Sequence, residues 1–306
     1  MKDFRLKGHI AMLGANTMWG LMAPIAKIVM AAGIVSPLLM TNFRIFGAAI
    51  LFWITSLFLP SEKVTRRDLL LLAGAGMLGI VFNQGCYIFG VGLTSPGEAS
   101  IITTTMPLWV MLLAALILKE PITLKKFGGI LLGGAGALLL VLNGANTSMK
   151  GDNATLGDLL VLTAQLCYAL YLTFYKNFIK KYSVVTLMKW MFTFASCAML
   201  CISVPTWLST DWGAMSNVEI WGIGYVVICA TYLAYIFTMI GQKNLRPTLV
   251  GMYNYAQPVV ASIVGIYLGL DKFTPTKIIA VILISSGVYL VTISKAAQPS
   301  TIGEKE

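Results

Sequence analysis

The chain has 306 residues, 58% hydrophobic and only 11% charged, with a mean hydropathy of +0.81. A soluble domain carries about 25% charged residues, so a water-facing surface is excluded and the class is an all-α polytopic membrane protein. The formal net charge of +10 comes from short Lys/Arg clusters between apolar segments, not from a basic face interleaved with aromatics, which excludes a nucleic-acid partner.

The N-terminus, MKDFRLKGHIAMLGANTMWG, has a basic start and an apolar run to about Gly33. That run is longer than the roughly 7–15 residue core of a cleaved signal, so it reads as a first membrane helix. Ten apolar segments follow one another at about 8–32, 35–59, 68–90, 97–118, 125–143, 157–178, 184–207, 219–241, 248–270 and 276–294. With the N-terminus in the cytoplasm, inside segments hold sixteen Lys and Arg, among them Lys63, Arg66, Arg67, Lys125, Lys126, Lys180 and Lys181; outside loops hold three, Lys150, Lys272 and Lys277. Both termini are therefore expected inside.

The fourth and ninth segments are copies. Without a gap, Pro96 meets Pro247, Pro107 meets Pro258, Glu120 meets Asp271, Lys126 meets Lys277 and Gly136 meets Gly287. The first and sixth segments match as well, Gly8 with Gly157, Asn16 with Gln165, Trp19 with Tyr168 and Lys27 with Lys176. Five helices per half is an odd number, so equivalent halves lie in opposite orientations. The expected organisation is a first repeat at 1–143, a linker at 144–156, a second repeat at 157–295 and a cytoplasmic tail at 296–306, with loops too short for a soluble domain. Gly129 and Gly133 form a GxxxG, read as packing within one subunit, with a homodimer face as the alternative.

Trp19-Gly20 in the first segment, Arg44 in the second, the Pro107 helix ending at Glu120 and the Gly-rich fifth segment resemble the drug/metabolite transporter superfamily, EamA type. The pattern returns in the second half with Pro258, Asp271 and Gly287, although Asp271 stands where such families often carry Glu and Tyr168-Ala169 replaces Trp-Gly. The resemblance implies the fold and a transport function. It also implies export of an amino acid or related metabolite across a bacterial-type inner membrane.

Three cations lie within the apolar segments, and each requires compensation. Lys27 and Lys189 sit near helix ends and read as snorkelling side chains, with Lys27 also a coupling candidate. Arg44 lies deeper, and Glu98 opens the fourth segment from the same side. The two form either a structural pair or a site in which the guanidinium takes a substrate carboxylate or phosphate, with Glu98 also the candidate carboxyl for proton coupling. A second group is polar and aromatic: Asn16 with Trp19, Gln165 with Tyr168, Asn83 with Tyr87, Tyr232 with Tyr235, and Asn254 with Gln257 just ahead of Pro258. Amides facing hydrocarbon are costly, so these residues are expected to share an interior cavity that binds a small-molecule substrate, with Pro107 and Pro258 as helix breaks freeing the Thr103 and Asn254 carbonyls.

Catalysis has little to work with. The single His9 is at the cytoplasmic edge, no carboxylate pair lies mid-membrane, and Cys197 with Cys201 has no third ligand. No catalytic residue, metal or cofactor is expected. The reading is a secondary transporter working by alternating access. The alternatives are a multidrug or cation efflux carrier and a membrane-embedded lipid-handling enzyme.

Overall fold

The computed structural model describes residues 2–31, 33–93, 102–144, 154–267 and 275–294, and among them every regular element is helical. In order these are α1 (Lys2–Ala31), α2 (Pro37–Leu57), α3 (Arg66–Gly76), α4 (Asn83–Leu93), α5 (Met106–Leu118), α6 (Leu124–Gly144), α7 (Ala154–Phe174), α8 (Val184–Ser209), α9 (Asn217–Val227), α10 (Ala234–Asn244), α11 (Pro247–Met252), α12 (Ala256–Tyr267) and α13 (Pro275–Thr292). A π-helical turn, Met77–Phe82, joins α3 to α4, and another, Ile228–Leu233, joins α9 to α10. Helix occupies most of the described part of each expected apolar segment, because hydrocarbon leaves backbone polar groups no partner outside the helix.

Among the described residues five stretches are long and apolar enough to cross a bilayer: Pro37–Leu57, Arg66–Gly90, Thr155–Phe174, Asn217–Asn244 and Pro275–Thr292. Val184–Leu200 with Ile202–Ser209 makes a sixth if counted across its bend. The chain is a multi-pass membrane protein.

Local chemistry sets the helix starts. Ser36, Thr65, Ser183 and Ser216 each accept the N–H of the residue three positions on, and Ser216 with Glu219 completes a capping box. Several element starts recur at a fixed interval. Thr65 and Ser216, the starts of α3 and α9, the two π-turns, the starts of α4 and α10 and the starts of α6 and α13 are all 151 residues apart.

Matching helices also meet antiparallel. A Cβ on Gly129 would lie 2.8 Å from the Gly287 carbonyl oxygen and beside Val291, whereas one on Gly136 would lie 2.6 Å from the Ala280 carbonyl and beside Ile284. Between α2 and α8, Asn42 bonds Ser203 and Phe52 stacks on Phe192. Between the proline segments, Thr248 bonds Glu120 and Tyr255 bonds the Thr104 carbonyl. The GxxxG glycines thus serve contacts within one chain.

One expectation changes. The prolines do not interrupt running helices. The chain breaks at a turn over Thr104 and Thr105 and at a 3-10 turn, Tyr253–Tyr255, and Pro107 then falls at the start of α5 and Pro258 in the first turn of α12. A first-turn N–H has no helical partner to lose, so proline is tolerated there.

Candidate functional site

Most expected polar residues bond across the two halves. Trp19 on α1 donates its indole N–H to the Ala230 carbonyl at 2.9 Å. Arg44 on α2 donates Nε–H to the Thr231 hydroxyl at 3.1 Å, and Thr231 donates to the Val226 carbonyl at 2.8 Å. Both therefore end on the second π-turn, where the wider helix frees backbone groups from the regular ladder. Gln84 on α4 donates to the Tyr235 hydroxyl on α10 at 2.5 Å. These two are themselves equivalent positions, 151 residues apart, so this bond lies where the halves meet symmetrically.

Tyr235 is buried, edge-on to Trp19 with ring centroids 5.9 Å apart, and within electrostatic reach of Arg44, as is Tyr87. Trp19, Arg44, Tyr87 and Tyr235 thus form one cluster with Gln84 and Thr231. The sequence reading passed over these last two. Gln84 adjoins the chosen Asn83 and lies three residues before Tyr87, so listing every amide in the apolar segments would have found it.

A second cluster sits at the breaks. Gln257 donates to the Asn16 side-chain Oδ1 at 2.9 Å, Asn16 turns its Nδ2 onto the Met12 carbonyl, and Asn254 Nδ2 lies 3.4 Å from the Met106 sulfur. The Tyr255 phenol donates to the Thr104 carbonyl at 3.1 Å. A protein group, and not only water or substrate, therefore meets the carbonyls at the first break. Asn16 joins the clusters, being one turn from Trp19 on α1.

Other candidates lie apart. Asn83 donates to the Ala164 carbonyl at 3.0 Å and so ties α4 to α7. Gln165 and Tyr168 are buried on α7, the latter against Tyr171 at 5.9 Å, while Tyr171 donates to Gln242 at 2.9 Å. Tyr232 turns toward α2, donating its phenol O–H to the Thr55 hydroxyl at 2.6 Å, since Thr55 itself donates to the Leu51 carbonyl, and packing on Phe52. Glu98 and Asp271 lie outside the described residues, as does the side chain of Lys27. Lys189 stands 4.7 Å over the Trp53 ring, a cation–π contact that offsets its burial in an apolar helix.

The opposite end of these helices is stitched by charge. Asp68 accepts from Thr65, Lys181 and Tyr182 at 2.8, 2.5 and 2.6 Å. Glu62 accepts the Ser183 N–H and O–H; burial would raise its carboxyl pKa, but hydrogen bonds from Thr186 and Ser183 outweigh that and lower it. Lys176 donates to the Gln242 and Leu245 carbonyls. Glu120 pairs with Lys126 at 2.9 Å, both buried, and accepts from Thr248 at 3.2 Å. The left-handed Lys119 (φ 53°) turns the chain just before Glu120. Among the described residues no group of three His, Cys, Asp or Glu is placed to hold a metal.

A family profile described as EamA-like transporter family matches residues 6–142 and again 155–293. The uncharacterized transporter YyaM of Bacillus subtilis is 26% identical, covering 90% of this chain and 88% of its own. A WAT1-related protein of Arabidopsis thaliana is 25% identical over 99% of this chain and 89% of its own. An uncharacterized transporter of Archaeoglobus fulgidus is 24% identical over 94% and 99%. A crystal structure of 20% identity has the same fold, with a TM-score of 0.77 over 96% of this chain and 97% of that one.

Proposed function

The chain belongs to the EamA-like transporter family, a family of transporters and not of enzymes, and we propose that it moves a small organic solute by alternating access. The solute is an amino acid or related metabolite, and the direction is outward across a bacterial-type inner membrane. The chain forms ten membrane helices as two inverted five-helix repeats, 1–143 and 157–295, joined by 144–156 and followed by a tail at 296–306, with both termini cytoplasmic. One observation carries this reading: bonds from Trp19, Arg44 and Gln84 cross to Ala230, Thr231 and Tyr235 where the two halves meet. A site between repeats is what a rocking carrier requires. The fixed 151-residue interval and the antiparallel meeting of matching helices support the inversion. The breaks ahead of Pro107 and Pro258 lie beside the site and supply points of bending.

Two measurements test it. In a cysteine-free background, Thr65→Cys should resist an impermeant thiol reagent added outside intact cells, while Ser148→Cys should react. Labelling of both from one side removes the inverted arrangement. In proteoliposomes, the purified protein should carry labelled amino acids down their gradient. Flux of cationic dyes alone would favour the efflux reading, and no flux of either would end the carrier reading.

A further inference from the structure

We infer that the solute carries a carboxylate, which Arg44 binds; this rests on the carrier reading and names the substrate group recognised by its central site. Arg44 is 8% exposed, deep in an apolar helix. A guanidinium has five donors. Among the described residues one is used, Nε–H to the neutral hydroxyl of Thr231, and no carboxylate pairs with it. The buried acids Asp68, Glu120 and Glu219 are held at helix ends by Lys181, Lys126 and the Ser216 cap.

A buried cation without an anion is costly, and the two terminal nitrogens offer a bidentate edge that fits a carboxylate. Pinning Nε to Thr231 restricts the guanidinium plane before any ligand arrives. Around it, the phenols of Tyr87 and Tyr235 lie within electrostatic reach, and Trp19 packs edge-on against Tyr235. The amide of Gln84 has one polar atom bonded to Tyr235 and the other, Oε1, buried without a partner. Arg44 therefore suits a carboxylate, and Gln84 Oε1 can accept from a donor elsewhere on the same solute. A cation placed beside Arg44 itself would meet a like charge in a medium that screens it poorly.

The test uses the full-length protein in detergent, with binding read by thermal stabilisation and tryptophan fluorescence. The probes are matched sets with one side chain: phenylalanine, its amide, its decarboxylated amine and phenylpyruvate, with phenyl phosphate as the competing oxyanion. Carboxylates should bind at least about tenfold more tightly than the amide or amine. Arg44→Gln should erase that preference and Arg44→Lys keep part of it. Equal binding of amide and acid by the native protein, or no binding of either acid, overturns the inference. Tighter binding of phenyl phosphate than of both acids replaces carboxylate by phosphate. Should Arg44→Gln fail to fold, the Arg44→Ala, Glu98→Ala double variant decides: restored folding would show that Glu98 is the structural partner of Arg44 and would overturn the inference. Proteoliposome flux separates the two readings. Transport of amines but not acids removes the anion site alone, whereas binding without transport of any probe removes the carrier.

Discussion

A Lys126→Met variant should lose most of its folded protein, while a Lys126→Met, Glu120→Met double variant should recover most of it. The two side chains are 1% and 6% exposed and pair at 2.9 Å. With Lys126 gone, the Glu120 carboxylate keeps, among the described residues, the Thr248 hydroxyl at 3.2 Å and the more distant charge of Lys176. Breaking a buried pair from one side costs about 3–5 kcal/mol because a charge is stranded, whereas replacing both partners with apolar groups is often neutral. Size-exclusion profile and melting temperature read the result. A single variant as stable as the native protein would show that water reaches Glu120. Because Thr248 belongs to the other half, this pair also helps hold the halves together at one end. Flux in the folded double variant should differ from native for that reason.

The second large effect is expected at Gly287. A Cβ there would sit 2.5 Å from the Gly129 carbonyl oxygen and 2.7 Å from the Gly133 nitrogen. Both are backbone atoms of α6, so no side-chain rotation relieves the clash and the helix axes have to separate. Gly287→Ala should destabilise by about 1–3 kcal/mol, as overpacking does, and Gly287→Leu should give no monodisperse protein. Gly128→Ala is the control. It adjoins Gly129, yet its added Cβ would meet nothing within 4 Å. Equal melting temperatures for Gly287→Ala and Gly128→Ala would mean that α6 and α13 are less closely packed than described.

The helices were legible because hydrocarbon imposes a continuous apolar signal, and Ser36, Thr65, Ser183 and Ser216 mark starts through ordinary capping chemistry. The repeat was legible through Pro107 with Pro258 and Glu120 with Asp271. Partners were harder to read. Asn16, Trp19, Arg44 and Tyr235 were chosen for being polar in the wrong solvent, which says that each needs a partner but not which one. Thr231 and Gln84 are unremarkable as letters, and only the packing of α2 and α4 against the second π-turn and α10 makes them neighbours of Arg44 and Tyr235. Proline marked the breaks but misplaced them by a few residues, because the same residue suits a kink and a helix start.

The π-turns have a consequence for which side chains can look inward. An α-helix advances about 100° per residue, so one surplus residue in a wide turn rotates everything after it by about that much. Along α9 the buried positions run Glu219, Ile223, Val226 and Ala230; beyond the turn they come in adjacent pairs, Ala234 with Tyr235, Thr238 with Met239 and Gly241 with Gln242. In the first half the buried column Leu72, Gly76 and Ile80 runs on to Gln84. Beyond the turn a polar column thus stands beside the packing column, and because both rods carry the turn at the same place, Gln84 and Tyr235 arrive opposite each other.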